Sequence, residues 1–274
     1  RLMTSVWPQL EPRLATVQKP ARYIGCEDGA KAKPPHPDLV SWLFVYPDAY
    51  EVGLPNQGLQ ILYEIVNERD DARADRSYAP WSDLEEIMRA EGIPLFSVEH
   101  HTPAGEFDVL AFNLSAELTY TNLLNCISRA GVPVRAAERD ASHPLVIAGG
   151  HCTYNPEPLA DFLDVVVLGD GEEVVGEITD VLAPWRRTDP SSRDRRDILR
   201  SLAAIEGVYV PSLYDAVYDD GGKLVEVVPN DPAAPIRIEK RSVADLGEWP
   251  YPKVPRARVA AGGEVGVEGG GVGG

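Results

Sequence analysis

Cysteine is scarce in this chain of 274 residues, and its three cysteines, Cys26, Cys126 and Cys152, lie far apart. They form neither a CxxC pair nor a CxxxCxxC triplet. An odd number of scattered thiols supports neither a disulfide framework nor an iron–sulfur cluster held within one loop. The five histidines form no HxH or HxxxH pair. The sequence therefore predicts no metal site.

Basic residues are also in the minority, because 26 Lys and Arg stand against 43 Asp and Glu and leave a formal net charge of −17. A surface of this sign repels nucleic acid and anionic membranes, so neither is an expected partner. No apolar run reaches the roughly 18 residues that span a bilayer, and the N-terminus has no apolar signal core. We therefore expect a cytoplasmic protein.

Short apolar runs rich in β-branched residues recur along the chain instead. Such runs are typical of strands buried within a parallel sheet. They predict strands at residues 39–46, 108–114, 145–148 and 165–168, with shorter strands at 77–79 and 95–99. Amphipathic helices are predicted between them, at residues 57–68, 82–91, 121–130 and 174–182. This alternation predicts an α/β fold with a Rossmann-like, flavodoxin-like parallel sheet.

Composition divides the chain into four segments. Residues 1–38 are broken by proline and predict an extended lead-in. Residues 39–185 contain the α/β domain. Residues 186–258 contain a linker helix and a β-hairpin around the turn Asp219-Asp220-Gly221-Gly222. Residues 259–274 form a Gly-rich tail that we expect to be disordered.

The candidate binding site lies where two predicted strands end. Gly149-Gly150 follows one strand and Gly169-Asp170-Gly171 follows the next. Because the carboxyl ends of parallel strands share one edge of the sheet, we expect both turns on one rim. The second turn, with Glu172-Glu173 behind it, imitates the start of a dinucleotide fingerprint. However, Val174 replaces the third glycine and two carboxylates stand where a pyrophosphate would bind, so the rim fits a large ligand that is not strongly anionic.

Three motifs resemble those of cobalamin-binding domains. The loop Asp48-Ala-Tyr50-Glu51-Val-Gly53 resembles their DxHxxG loop, Asn113-Leu-Ser115 stands where they have SxL, and Leu145–Gly150 matches their GG strand end. Their order and spacing also agree. With YEVGLPNQGLQILYEIVNER, ELTYTN, AGGHCTYNPEPLADF and GDGEE, about residues 5–255 resemble the N-terminal part of a B12-binding-domain radical SAM protein. The subgroup concerned is the one whose longer members continue into a DUF2344-type region.

This resemblance implies a cobalamin-binding domain that is normally followed, in the same chain, by a radical SAM domain with a [4Fe-4S] cluster and S-adenosylmethionine. It implies a corrinoid ligand held at Asp48, Tyr50, Glu51, Gly53, Asn113, Ser115, Gly149, Gly150, Gly169, Gly171 and Glu172. Tyr50 stands where the family has its cobalt-ligating histidine, so we expect cobalamin to bind without a histidine ligand. The chain ends in glycines where the family's CxxxCxxC loop would begin, and we expect a truncated, catalytically incomplete chain.

Three functions remain open on these grounds. The first is the cofactor or substrate module of a radical SAM enzyme. The second is a non-catalytic interaction module that has lost corrinoid binding and docks a partner. The third, less well supported, is a flavodoxin-like nucleotide binder. Tyr50, the acidic rim and the missing cysteine motif are the features that separate them.

We expect this polypeptide alone to carry no iron–sulfur cluster and to cleave no S-adenosylmethionine, because its scattered cysteines do not offer three closely spaced thiolates. The measurement is anaerobic reconstitution with iron and sulfide, followed by absorption spectroscopy and iron analysis. A stoichiometric [4Fe-4S] absorption band that requires Cys26, Cys126 and Cys152 would contradict the expectation.

Overall fold

The computed structural model describes residues 4–25 and 27–245, and at its centre six strands form one sheet. The strands are β1 (Val40–Tyr46), β2 (Ala72–Tyr78), β3 (Val109–Asn113), β4 (Leu145–Gly149), β5 (Val165–Val167) and β6 (Val208–Tyr209). Their spatial order is β2-β1-β3-β4-β5-β6, and all neighbours are parallel except β5 and β6. The first five strands have the flavodoxin-like order, which reverses between β1 and β3. The predicted α/β class with a Rossmann-like parallel sheet is confirmed.

Seven α-helices accompany the sheet within the described residues. They are α1 (Trp7–Leu10), α2 (Tyr50–Gly53), α3 (Gln57–Glu68), α4 (Ser82–Glu91), α5 (Tyr120–Arg129), α6 (Val174–Arg187) and α7 (Arg195–Leu202). Helices α3 and α6 pack on one face of the sheet and α5 packs on the other, so both faces are covered. None of these helices has both the length and the apolar character that crossing a bilayer requires.

Local sequence signals explain where several helices begin and end. The Asn56 side chain caps α3, because its Oδ1 accepts a hydrogen bond of 2.9 Å from the Leu59 N–H. Helix α4 ends at Gly92, and α5 is followed by Gly131; both glycines have positive φ, 71° and 72°. Ser82 and Glu85 have the spacing of a capping box, but α4 begins at Ser82 itself, and its N-cap residue Trp81 makes no side-chain cap bond.

The lead-in is folded rather than extended throughout. After α1 the chain forms a 3₁₀ helix at Glu11–Thr16, and its apolar residues join a third hydrophobic cluster with α4. Leu10, Leu14 and Val17 recur every three or four residues, which places them on one side of the segment against Leu84. Prolines interrupt regular helix here without preventing burial.

The structure differs most from the prediction at the two short strands, residues 77–79 and 95–99. The strand predicted at 77–79 is longer, because β2 begins at Ala72 and is buried throughout although its sequence, ARADRSY, is polar. The strand predicted at 95–99 is absent apart from an isolated bridge between Phe96 and Pro103. This apolar segment turns back across the edge of β2, where the Val98 N–H donates to the Arg76 carbonyl at 2.8 Å.

Ion pairs account for the burial of this polar strand. Arg76 is fully buried and donates to Glu27 of the lead-in and, at 2.6 Å, to Glu99. On the other face of β2, Arg73 lies 3.1 Å from Asp75. Because each buried charge has a partner, the strand avoids the penalty of an unpaired charge.

The C-terminal part of the described chain adds a hairpin, as predicted. Strands β7 (Tyr214–Tyr218) and β8 (Leu224–Pro229) pair antiparallel as a separate two-stranded sheet. Strand β6 completes the main sheet, so the sheet extends beyond the predicted boundary at residue 185. The Gly-rich tail at 259–274 lies outside the described residues.

The charges around β2 should make stability depend on pH. Burial, together with the neighbouring Asp75 and Glu27 carboxylates, raises the pKa of the Glu99 carboxyl to about 7, against the attraction of Arg76. The hydrogen bond to Asp75 likewise raises the pKa of His100. A group with a raised pKa binds its proton more tightly in the folded state, so both groups lose stabilisation as the pH rises.

We therefore expect the free energy of unfolding of the Glu99→Gln variant to fall less than that of the wild type between about pH 5 and pH 8. A single group changes this slope by at most about 1.4 kcal/mol per pH unit. Urea denaturation at several pH values measures the free energy of unfolding of both proteins. Burial lowers the pKa of His101, which has the opposite effect on stability, but His101 is present in both proteins and its contribution cancels in the difference between them. Glu86→Gln, at an exposed position, is the control. Parallel pH profiles for wild type and Glu99→Gln would contradict the prediction.

Candidate functional site

A cleft of about 350 Å³ opens at the carboxyl ends of β3, β4 and β5. It runs between one face of the sheet and the helices α3 and α6, beside the point where the strand order reverses. Ligands of open α/β sheets bind at this topological position. Its volume lies at the lower end of the roughly 300–1,000 Å³ found for small-molecule sites.

The floor of the cleft is apolar. It is formed by side chains from four strands and two helices, namely Trp42, Phe44, Leu59, Leu62, Ala111, Ile147, Val167, Val174, Val175 and Ile178. The rings of Trp42 and Phe44 stack with centroids 5.7 Å apart. Trp42 Nε1 donates to Thr179 Oγ1 at 3.1 Å, and that hydroxyl donates to the Val175 carbonyl at 2.7 Å. The polar groups at the floor are thus paired with one another.

The mouth of the cleft is polar. Ser115 Oγ donates to Asn113 Oδ1 at 2.7 Å, and Asn113 Nδ2 donates to Asn56 Oδ1 at 3.4 Å. Since Asn56 also caps α3, this chain of hydrogen bonds ties the end of β3 to the start of that helix. Carboxamides and a hydroxyl at this position can exchange hydrogen bonds with a ligand's polar groups.

Two glycines after β4 have different roles. Gly149 lies on the same side of β4 as Ile147, and a Cβ added there would meet only the Val167 Cβ, at 3.9 Å. Gly150 has φ +112°, and its added Cβ would lie 2.7 Å from the Leu114 carbonyl oxygen. Gly149 therefore leaves space in the cleft, whereas Gly150 is required by the backbone itself.

The turn after β5 is held by a later segment of the chain. The Asp170 N–H donates to the Arg241 carbonyl at 3.1 Å, and Asp170 Oδ2 accepts from the Val243 N–H at 2.9 Å. The Arg241 guanidinium pairs with Glu173 at 2.7 Å and with Glu177 at 2.6 Å. Much of the acidity that the sequence places on this side of the rim is therefore compensated within the protein.

The loop predicted to face the cobalt does not line the cleft. Tyr50 is 2% exposed, its hydroxyl donates to Glu27, and burial raises its pKa. Glu51 pairs with Lys19 and Arg22, both at 3.0 Å. Asp48 Oδ1 accepts from the next backbone N–H, and Gly53 is packed so closely that an added Cβ would lie 2.6 Å from Tyr78. The structure places Asp48, Tyr50, Glu51 and Gly53 outside the cleft.

The other seven predicted residues do come together there. They are Asn113, Ser115, Gly149, Gly150, Gly169, Gly171 and Glu172. Three further residues line the cleft without having been predicted as site residues: His151 and Tyr154, which follow the Gly-Gly turn, and Asn56, the cap of α3. Residues that directly follow a strand end lie at the rim of the sheet, so their position could have identified His151 and Tyr154. Within the described part of the chain, no group of three or more metal-ligating side chains occurs.

Paired substitutions at the Gly-Gly turn should separate these roles. We expect Gly150→Ala to lower stability by ~1–3 kcal/mol, because its backbone conformation is one that only glycine readily adopts and because the new Cβ meets a carbonyl. Gly149→Ala should stay within about 0.5 kcal/mol of the wild type. Chemical denaturation of both variants measures the difference, and equal losses would show that the two positions were misassigned.

A family profile described as "Radical SAM proteins, N-terminal" matches residues 58–211, which include α3 from its second residue, α6 and every strand that lines the floor except β1. No curated protein matches the chain.

Among solved structures, the cobalamin-dependent S-adenosylmethionine radical enzyme OxsB with aqua-cobalamin bound is 10% identical over 69% of this chain and 22% of its own, with a TM-score of 0.38. The radical S-adenosylmethionine methyltransferase TsrM from Kitasatospora setae, with cobalamin and a [4Fe-4S] cluster bound, is 13% identical over 72% of this chain and 32% of its own, with a TM-score of 0.40. The chain thus spans less than a third of the length of either enzyme. Because the family profile covers more than half of the sequence, the chain belongs to this family of N-terminal regions of radical SAM proteins.

Proposed function

We propose that this chain is the corrinoid-binding N-terminal module of a radical SAM enzyme. The observation that carries the proposal is the cleft at the carboxyl ends of the strands, with an apolar floor, a polar mouth and open space at Gly149. Membership of the family supports the link to radical SAM chemistry. A radical SAM domain with a [4Fe-4S] cluster and S-adenosylmethionine would then normally lie in the same chain.

The shape and chemistry of the cleft fit one part of a corrinoid. A cleft of about 350 Å³ is too small for the macrocycle but can take the flat aromatic base of its nucleotide tail. The stacked rings of Trp42 and Phe44 and the aliphatic residues around them offer apolar contacts to such a base. The corrin ring, with its peripheral amides, would lie over the mouth, within reach of Asn113 and Ser115.

The cobalt would receive no ligand from the first loop in this arrangement. Tyr50 points into the protein, and its hydroxyl is already engaged by Glu27. With the base of the tail in the cleft, the corrinoid would be bound in its base-off form, without a histidine from the position that the family uses. When bound, a corrinoid supplies a redox-active cobalt, and this chain's residues would orient it and exclude water from its tail.

A second function rests on one feature of the surface near the site. Leu118 and Tyr154, which follow β3 and β4, are 76% and 57% exposed. Exposed apolar side chains that lie together mark surfaces that contact other molecules, and these two follow strands whose carboxyl ends share one rim. If no corrinoid binds, this end of the sheet would instead serve as an interaction module that docks a partner protein. We place this alternative second, because it leaves the cleft without a role.

Titration with hydroxocobalamin and cob(II)alamin tests the proposal, with binding followed by visible and EPR spectroscopy. We expect saturable binding by the wild type and a loss of at least about tenfold in affinity for Gly149→Val, whose methyl groups would fill the cleft. The Cβ of this variant meets nothing closer than 3.9 Å, and its melting temperature is measured beside its affinity to show that it folds as the wild type does.

Tyr50→Phe is the matched control. It removes the hydroxyl bonded to Glu27 and should lower stability by about 1 kcal/mol, yet leave corrinoid affinity unchanged, since Tyr50 does not line the cleft. Absence of wild-type binding up to high micromolar cofactor would refute the proposal and favour the interaction module. Binding that survives Gly149→Val would show that the corrinoid binds elsewhere.

A further inference from the structure

The floor of the cleft offers a ligand no free hydrogen-bonding side chain among the described residues. Its ten lining side chains are apolar apart from the indole N–H of Trp42, which is bonded to Thr179. Thr179 in turn uses its own proton for the Val175 carbonyl. A ligand group that enters this far must therefore be apolar, or it loses its hydrogen bonds to water without replacement.

We infer that the cleft selects corrinoids by the base of the nucleotide tail, favouring an apolar base such as dimethylbenzimidazole over adenine. The inference rests on the proposed function. The two bases share the imidazole ring that joins the ribose, and they differ on the six-membered ring, which leads into the cleft. Dimethylbenzimidazole carries two methyl groups there, whereas adenine carries an amino group and two ring nitrogens.

The methyl groups suit the side chains that they would meet. Phe44 on β1, Ile147 on β4 and Val167 on β5 belong to the same hydrophobic cluster on one face of the sheet and are all less than 10% exposed. The polar edge of adenine would meet the same surface and find no donor or acceptor. A buried polar group left without a partner lowers affinity by about 5- to 150-fold. The apolar walls thus disfavour adenine because they offer its polar groups no hydrogen-bond partner.

Leu62 is the position at which the selectivity can be changed. It lies on α3 at the cleft wall, and its methyl groups come within 3.3 Å of a Cβ added at Gly171, across the opening. The side chain is only partly buried, so a polar replacement there can be accommodated. Leu62→Gln would supply both a donor and an acceptor to a base in the cleft, and Leu62→Met keeps the surface apolar at similar length.

Isothermal titration calorimetry with three probes tests the inference. The probes are dicyanocobalamin, the otherwise identical dicyano corrinoid with an adenine base, and dicyanocobinamide, which has no nucleotide tail. Two cyanides occupy the cobalt in all three, so no base has to leave the metal on binding. We expect dicyanocobalamin to bind wild type at least about tenfold more tightly than either of the others. Leu62→Gln should reduce the ratio between the first two probes, and Leu62→Met should preserve it.

The possible results distinguish a failure of the inferred selectivity from a failure of the proposed function. Equal binding of all three probes would overturn the inference, because the tail would then lie outside the cleft, but it would leave corrinoid binding intact. Tighter binding of the adenine corrinoid would overturn the inference in the same way. Failure of every probe to bind would refute the proposed function itself, and the selectivity with it.

Discussion

The charge of Arg76 must be neutralised inside the protein, and much of the structure around β2 follows from that requirement. Breaking a buried ion pair costs about 3–5 kcal/mol, because one charge is left without a partner. Arg76 is compensated by Glu27 from the lead-in and Glu99 from the segment after α4. Two stretches far apart in sequence are thereby fastened to one edge strand, and that edge is protected from pairing with other chains.

The hydrogen bonds of Glu27 also affect which segments line the cleft. Glu27 accepts the Tyr50 hydroxyl as well as the Arg76 guanidinium, so the loop after β1 turns toward the lead-in and away from the cleft. A histidine at this position could ligate a cobalt only if the loop faced the rim. The cleft is instead assembled from the ends of β3, β4 and β5 and the first turns of α3 and α6. Tyr50 is thus buried in the fold and does not line the cleft.

Apolar patterning was sufficient to predict β1, β3, β4 and β5, because strands buried on both faces are nearly continuous hydrophobic runs. It failed for β2, where Arg76 is buried against the distant residues Glu27 and Glu99, and Arg73 is buried against Asp75 of the same strand. Seven of the predicted residues, four of them glycines that follow strands, line one cleft, since the ends of parallel strands share a rim. The motif at 48–53 could not reveal that its side chains point inward, because Glu27, which turns Tyr50, lies outside the motif.

Charge at the mouth argues further for one class of ligand over another. The sequence places Asp170, Glu172 and Glu173 together, which would repel any phosphate. In the structure Glu173 is paired with Arg241, whereas Asp170 and Glu172 both line the cleft, and Asp170 already accepts a hydrogen bond from the Val243 N–H. A single phosphodiester, such as that of a nucleotide tail, meets these two partly solvated carboxylates at modest cost, because water and salt screen them. A pyrophosphate carries about twice the charge of a phosphodiester and needs free N–H groups at the start of a helix. Here the residue that precedes the first turn of α6 is the acidic Glu173. A dinucleotide is therefore the poorer fit.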